Sequence, residues 1–376
     1  MKNIFKKIHL WLSIPVGLIV SLICITGAIL VFETELSETF NSSRYFVNEV
    51  KGEPLTLDVL LEKVQKELPD SASIASVQVP SEMHKTYRIG LDRPARSSVY
   101  VNPYTAEIVD KEYDAQGSFF AKVRALHRWL LLQGDSRSVG KNIVGISTLI
   151  FVIILISGII VWLPNRKSVL KRRLKIRFRK GWRRFWYDFH LAAGIYVAII
   201  LLVLALTGLT WSFGWYRSAF YGLFGVEAPQ GGGGHQNRAG NQQRGEGRKG
   251  GDESKRTTDF SKWQVSLADV QNQLSEYKSI TIQKGTASAS IDVFGNSRAS
   301  NNYKLDKKTG KVTETDLYTD RNKSGKLRGW IYSVHTGSWG GMLTKILTFF
   351  ASLVGGILPI SGYYLYLKRT IKKKNK

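Results

Sequence analysis

The chain has 376 residues and a formal net charge of +25 at pH 7, with 54 Lys or Arg against 29 Asp or Glu. The basic excess lies beside long apolar runs: residues 165–189 contain 11 basic residues and one acidic residue, and residues 368–376 contain six basic residues and no acidic residue. Basic flanks of this kind are typical of the cytoplasmic side of a membrane protein, where they contact anionic lipid. The distribution argues against nucleic acid as a partner.

Four apolar runs are long enough to cross the roughly 30 Å hydrocarbon core of a bilayer at about 1.5 Å per residue. They are residues 10–32, 143–163, 191–213 and 346–367. The first run follows three lysines, as in a signal peptide, but it is longer than the apolar part of one and has an internal counterpart. It is therefore predicted to be an uncleaved anchor. The single cysteine, Cys24, lies in this run and cannot form an intrachain disulfide.

The polar segment 33–126 is predicted to fold as a small α+β domain. Thr56 precedes the amphipathic stretch LDVLLEKVQKEL and is the expected N-cap of a helix. The stretch VYVNPYTAEIVDKEY at 99–113 indicates a strand, a tight turn that begins at Asn102, and a second strand. One helix packed on this short antiparallel sheet would complete the domain.

The second half of the chain repeats the order of the first, which predicts an internal duplication. His9 precedes a Thr-Gly pair by 17 and 18 positions, and His190 precedes another by the same spacing. A Ser-Gly or Thr-Gly pair occurs in each apolar run: Thr26-Gly27, Ser157-Gly158, Thr207-Gly208 and Ser361-Gly362. Small residues in membrane helices usually allow close packing, which is the expected role of these pairs.

The polar segment 214–334 is predicted to contain the matching α+β domain. Ser266 is the expected cap of the stretch LADVQNQLSEY, and YKLDKKTGKVTETDL at 303–317 repeats the strand-turn-strand pattern with Asp306 at its turn. Residues 229–257 are rich in Gly, Gln and Arg and offer no apolar face to bury. They are predicted to be a disordered insertion.

The predicted fold is a four-helix transmembrane bundle from an internal duplication, with two small periplasmic α+β domains. Both termini and the middle linker are expected in the cytoplasm. In chain order the predicted segments are residues 1–32 (first span), 33–126 (first periplasmic domain), 127–164 (outer histidine segment and second span), 165–189 (basic linker), 190–213 (third span), 214–334 (second periplasmic domain with the insertion 229–257), 335–367 (outer histidine segment and fourth span) and 368–376 (basic tail).

Four histidines occupy matching positions of the two halves. His9 and His190 lie at the inner ends of the first and third spans, and His127 and His335 precede the second and fourth spans on the outer side. Neutral imidazoles from two helices are good axial ligands of haem iron. These four residues are therefore predicted to ligate one or two haem groups. Zinc is disfavoured because no Cys or carboxylate lies near them in sequence, and a proton relay because the spans contain no Asp or Glu.

The combination of motifs resembles a known family. A histidine before a span with Thr-Gly, a strand-turn-strand around NPYTA or DKKTG, the segment LHRWLL and a span ending in SGIIVWLP are similar to the PepSY-associated transmembrane family. That family includes bacterial inner-membrane ferric-siderophore reductases, and the resemblance covers nearly the whole chain outside 229–257. It implies PepSY-like periplasmic domains and haem b bound by the four histidines. One departure is Ala106 in NPYTA, where glycine is usual.

The resemblance implies an enzyme, a ferric-siderophore or ferric-chelate reductase that delivers electrons to iron outside the membrane, with haem ligands rather than separate catalytic residues at its site. No G-x-G-x-x-G follows a strand, so electrons are expected from a separate donor, a flavoprotein reductase or quinol. The alternative is a haem-free, membrane-anchored PepSY module that binds a periplasmic peptide or regulates a protease. His84 is expected on a strand facing water, and His235 in the insertion is expected to be inert.

Overall fold

The computed structural model describes residues 2–50, 52–93, 97–113, 117–164, 167–179, 181–229 and 260–374. Its main parts are four long apolar helices and one antiparallel sheet, which are accompanied by shorter helices. The helices are α1 (Lys2–Val31), α2 (Glu33–Phe40), α3 (Ser42–Tyr45), α4 (Leu57–Glu67), α5 (Phe119–Trp129), α6 (Ser136–Trp162), α7 (Lys167–Arg173), α8 (Trp182–Ser212), α9 (Gly214–Gly222), α10 (Trp263–Asn272), α11 (Lys323–Thr336) and α12 (Gly341–Lys374). The strands are β1 (Ser73–Pro80), β2 (Tyr87–Arg93), β3 (Ser98–Val101), β4 (Ile108–Glu112), β5 (Ser279–Gln283), β6 (Thr286–Ser290), β7 (Ser300–Leu305) and β8 (Val312–Asp316). Apart from Pro229, the predicted insertion 229–257 with His235 lies outside the described residues.

The four helices that can cross a membrane by length and composition are α1, α6, α8 and the segment that contains α12, and each coincides with one apolar run. A helix satisfies its backbone hydrogen bonds within its own segment, which hydrocarbon requires. α8 begins at Trp182 and α12 continues to Lys374, so parts of the predicted basic linker and tail are helical extensions of the spans.

The spanning helices form a ring of contacts. α1 packs against α6 and α12, and α8 packs against the same two helices, which places α1 and α8 across the bundle from each other. A buried apolar cluster joins them: Val16, Val20, Cys24, Ile154, Leu155 and Leu201. Leu18 and Ile199 are exposed on the outer surface of the bundle, where a lipid-facing helix keeps its apolar side chains.

The close approach of α1 and α12 depends on glycines. A Cβ at Gly17 would lie 2.6 Å from the hydroxyl oxygen of Tyr363, which donates a hydrogen bond to the carbonyl of Ile14. On α12, the carbonyl of Gly356 accepts a hydrogen bond of 2.5 Å from Ser21 Oγ. Small residues at these positions let the two backbones approach closely.

The two predicted α+β domains share one sheet, whereas the sequence suggested two separate domains. The strand order is β4-β3-β2-β1-β5-β6-β7-β8, and the two halves meet where β1 and β5 pair antiparallel, with Val77 opposite Ile282. α4 and α10 pack against each other and over this sheet, and Gln264 of α10 accepts a hydrogen bond from the backbone of Leu57. Each half alone would leave β1 or β5 as an unpaired edge, and pairing the two edges satisfies their backbone groups.

One of the two predicted helix caps is wrong. Thr56 is the N-cap residue of α4, as predicted, but α10 begins at Trp263 and not after Ser266. Ser266 is buried inside the helix and donates a hydrogen bond of 2.7 Å to the carbonyl of Gly310. The helix starts a turn early because the buried Trp263 ring joins the core under the sheet.

The turns between β3 and β4 and between β7 and β8 have the same conformation. Asn102 and Asp306 begin them, and each carbonyl accepts a hydrogen bond of 2.9 Å from the backbone four residues on. Those residues are Ala106 (φ +67°) and Gly310 (φ +77°), so both turns need a left-handed residue. Ala106 takes this conformation despite its side chain, which explains how the first half forms the turn without glycine.

Replacing Gly310 with alanine is expected to lower the free energy of unfolding of the sheet by about 2–3 kcal/mol. A left-handed φ costs about 1–2 kcal/mol for alanine, and the new Cβ would lie 2.6 Å from the carbonyl oxygen of Lys262. Gly285→Ala is the matched control, because its φ is +79° and its Cβ would lie no closer than 3.6 Å, to Lys307 Cε. Thermal unfolding of the detergent-purified protein, followed by circular dichroism, checks this, and equal losses in the two variants would contradict the clash.

Candidate functional site

The four histidines that the sequence singled out form two pairs. The ring centroids of His9 and His190 lie 6.3 Å apart, and those of His127 and His335 lie 6.2 Å apart. The first pair joins α1 to α8 across the bundle, and the second joins α5 to α11 at the end of the bundle next to the sheet. Each pair therefore combines one histidine from the first half of the chain with one from the second.

The inner pair is held by α6 and α12. The Nδ1 atom of His9 lies 3.0 Å from the carbonyl oxygen of Ile154 and 3.3 Å from Ser157 Oγ. The Nδ1 atom of His190 lies 2.8 Å from Ser361 Oγ. Each imidazole of α1 or α8 is thus fixed by the Ser of a Ser-Gly pair on the next spanning helix.

The outer pair is held in the same way by α1 and α8. The Nδ1 atom of His127 lies 3.0 Å from the carbonyl oxygen of Ile23 and 3.1 Å from Thr26 Oγ1. For His335 the corresponding distances are 3.0 Å to the carbonyl of Leu204 and 3.2 Å to Thr207 Oγ1. The two Thr-Gly pairs therefore hold the outer histidines.

The tautomer of all four rings follows from these contacts. Each hydroxyl already donates its proton to a carbonyl of its own helix, with these acceptors: Ile154 for Ser157, Leu358 for Ser361, Leu22 for Thr26 and Val203 for Thr207. The hydroxyl oxygens and the carbonyls can then only accept a hydrogen bond from Nδ1–H. In a neutral imidazole the lone pair is consequently on Nε2, which forms no hydrogen bond with the described residues.

The glycines of the Ser-Gly and Thr-Gly pairs make room for the rings, which corrects the expectation that these pairs serve helix packing. The distances from an added Cβ to the nearest ring carbon Cε1 are 3.3 Å at Gly27 to His127, 3.0 Å at Gly158 to His9, 2.9 Å at Gly208 to His335 and 3.7 Å at Gly362 to His190. The hydroxyl of each pair contacts Nδ1 of the ring, and the glycine, which has no side chain, leaves space for Cε1. Sequence reasoning could have found this role, because four such pairs accompany four related histidines.

The outer histidines are neutral near pH 7. Burial lowers the pKa of His127 to about 4, with a smaller contribution from the charge of Arg128. Burial also lowers the pKa of His335 to about 4. Both rings can therefore offer an unprotonated Nε2 to a metal ion without first losing a proton.

The sequence matches the model of the family described as the PepSY-associated TM region over residues 6–369. The chain belongs to this family. No curated protein matches it at a significant level. In this PepSY-associated membrane protein, the matched region contains all four histidines together with the residues that hold them.

The two histidine pairs of this PepSY-associated protein lie at different depths of the bundle. Along α1, His9 is 14 residues from Ile23 and 17 from Thr26, the residues that hold His127. At about 1.5 Å per residue this separates the pairs by roughly 21–25 Å. Among the described residues there is no group of three or more His, Cys, Asp or Glu that could hold a metal ion. The candidate site therefore consists of two pairs of histidines.

His84 lies apart from both pairs. It occupies the loop between β1 and β2, not a strand, with its Nε2 3.2 Å from Glu82 Oε2 and its ring stacked on Phe46. Its side chain is 54% exposed. These contacts explain the position of His84, and they do not connect it to the candidate site.

A buried carboxylate close to the inner pair was missed by sequence reasoning. Asp188, two residues before His190, is 3% exposed and pairs with Arg184 at 2.9 Å and with Arg177 at 3.1 Å. This connection anchors the basic linker to α8 at the level of the inner histidines. The i, i+4 spacing of Arg184 and Asp188 was the available signal.

Proposed function

We propose that this protein is a haem-containing electron-transfer protein that reduces a ferric chelate, such as a ferric siderophore, on the sheet side of the membrane. The supporting observation is that all four histidines form two pairs at two depths, each ring with Nδ1 hydrogen-bonded and Nε2 unused. Haem b in each pair would supply reversible one-electron transfer. His9 and His190 would hold the inner group, and His127 and His335 the outer group.

The ring centres of the two pairs lie 6.3 and 6.2 Å apart, close enough for both imidazoles of a pair to hold one metal ion through bonds of about 2.0 Å. Two buried donors near the inner pair have no partner among the described residues, Trp162 Nε1 and Arg177 Nη2. Such donors suit the carboxylates of a porphyrin.

The chain's own residues would set the chemistry of the site. Carbonyl and hydroxyl groups that accept from Nδ1–H fix the ring orientation and increase the basicity of Nε2. Because each haem would be held by two histidines, the substrate would stay outside the ligand set. The sheet and the adjoining loops would then have to bring the chelate near His127 and His335.

We place the sheet in the bacterial periplasm and both termini in the cytoplasm. The basic linker with α7, the start of α8 and the end of α12 lie at one end of the bundle, as cytoplasmic flanks do. The sheet lies at the other end. The order of elements repeats, and the histidines of both halves are held by the same kinds of contact. Both features support an origin by duplication. Electrons would come from a separate flavoprotein reductase or from quinol.

A difference spectrum of the detergent-purified protein, dithionite-reduced minus oxidised, tests the proposal. We expect the bands of a low-spin haem b with two histidine ligands, and a haem content close to two groups per chain. Electron transfer to a ferric hydroxamate chelate should reoxidise the reduced protein. A protein that contains no haem after expression with haem supplied would contradict the proposal, and the haem-free PepSY binding module would then remain.

A further inference from the structure

The end of the bundle next to the outer histidines carries a group of positive charges, here called the outer cationic cluster: Arg128, Arg137, Lys141 and Arg217. They come from three elements, α5, α6 and α9. Lys141 interacts electrostatically with the other three. Like charges held together in this way attract an anion.

No described acidic residue forms an ion pair with the outer cationic cluster. In the part of the chain that the structure describes, none of its four members forms an ion pair, and Arg128 and Arg137 instead contact the Trp129 ring. Glu33 and Glu35, at the start of α2, already pair with Arg124 and Lys345. The carboxylates of the described residues therefore leave the charge of the cluster unpaired.

A small pocket opens at the edge of this cluster. It is lined by Arg217 and Arg328, the phenol of Tyr221, and Thr210 and Trp211 at the end of α8. The Nε atom of Arg217 is buried and has no hydrogen-bond partner among the described residues. An unpaired buried donor of this kind is unfavourable, and a bound acceptor would satisfy it.

The pocket has a cavity volume of about 30 Å³, and one water needs roughly 10–15 Å³. The two oxygens of a carboxylate therefore fit in it. The Trp211 ring, which lines the pocket, lies 5.2 Å from the ring of His335 between centroids. A group bound here would thus contact the Trp211 ring, which in turn contacts the ring of His335.

We propose that this pocket is an anion site that binds a carboxylate beside the outer histidine pair. Guanidinium groups bind carboxylates through parallel N–H bonds, and a phenol can add another donor. The carboxylate has two possible sources, an arm of an anionic ferric chelate that docks from the sheet side or a porphyrin carboxylate. The choice of these sources rests on the proposed function, whereas the presence of the anion site does not.

The test compares Arg217→Gln with Arg298→Gln in the full-length protein purified in a neutral detergent. Both changes remove one arginine charge near the outer pair, but Arg298 stacks on Tyr332 and does not line the pocket. Gallium(III) citrate is the first probe, because it carries carboxylates and is not reduced. Calorimetry should show at least tenfold weaker binding for Arg217→Gln, about 1.4 kcal/mol, and less than a twofold change for Arg298→Gln. Raising the salt concentration should weaken binding to the wild type.

The second probe distinguishes the two sources. Haem-depleted protein is reconstituted with haem or with its dimethyl ester, which lacks the carboxylate charges. If the pocket takes the porphyrin carboxylate, wild type prefers haem, Arg217→Gln loses that preference and gallium citrate binding is unaffected. If Arg217→Gln changes neither probe relative to Arg298→Gln, the anion site is refuted. Binding of gallium citrate through Arg217 by a protein without haem would support the site while contradicting the proposed function.

Discussion

Replacing His127 and His335 together by alanine is expected to reduce the haem content from two groups per chain to one. The remaining group should keep the low-spin spectrum of two histidine ligands, because His9 and His190 are more than 20 Å away, roughly 14 residues of helix at about 1.5 Å each. Electron transfer to a ferric chelate should fall at least tenfold, since the pair nearest the sheet is lost. Haem is quantified per chain by the pyridine method.

The matched control is a crossed double variant, His9→Ala with His127→Ala. It removes the same number of imidazoles as the paired variant, but it leaves each pair with a single ligand. Both groups should then be lost or turn high-spin, whereas the paired variant keeps one intact site. If the paired and crossed variants lose haem equally, the pairing by depth is wrong.

Replacing Gly208 with alanine is expected to weaken haem retention at the outer site by about 10–100-fold, the usual effect of disturbing a residue that orients a metal ligand. The added Cβ would lie 2.9 Å from His335 Cε1. Such a contact is too short for the ring to keep its place, so Nε2 must move. Haem transfer to apomyoglobin measures the retention, and the ratio of high-spin to low-spin haem reports the displaced ligand.

Gly362→Ala is the control within the same chain. It makes the same chemical change in the equivalent Ser-Gly pair, but its Cβ would lie 3.7 Å from His190 Cε1, an ordinary contact. Haem retention at the inner site should change less than threefold. Both glycines lie inside spanning helices, and replacing glycine by alanine favours the helix at either position, so a loss of helix stability cannot produce the difference. Equal effects of the two variants would show that Gly208 is not needed to make room for the His335 ring.

The sequence was sufficient to identify some parts of the candidate site but not others. The histidines were identifiable because their positions repeat, and the spans because about 20 apolar residues in a row have few other uses. The role of the Ser-Gly and Thr-Gly pairs was not identified, since small residues in membrane helices usually serve close packing. The 17 residues of helix between His9 and Thr26 turn the side chain by about 100°. Thr26 therefore faces α5 and holds His127, while His9 is held by Ser157 on α6.

The sequence by itself determined the local properties of this protein: four helices that can span a membrane, basic flanks at one end, and two strand-turn-strand units with tight turns. Hydropathy and turn chemistry act over a few residues and can be read directly. Only the tertiary structure decided that β1 and β5 join the two units into one sheet, and that each histidine of one helix is held by a hydroxyl and a glycine of another. These contacts join residues 100 or more positions apart, and they depend on which face each helix presents to its neighbours.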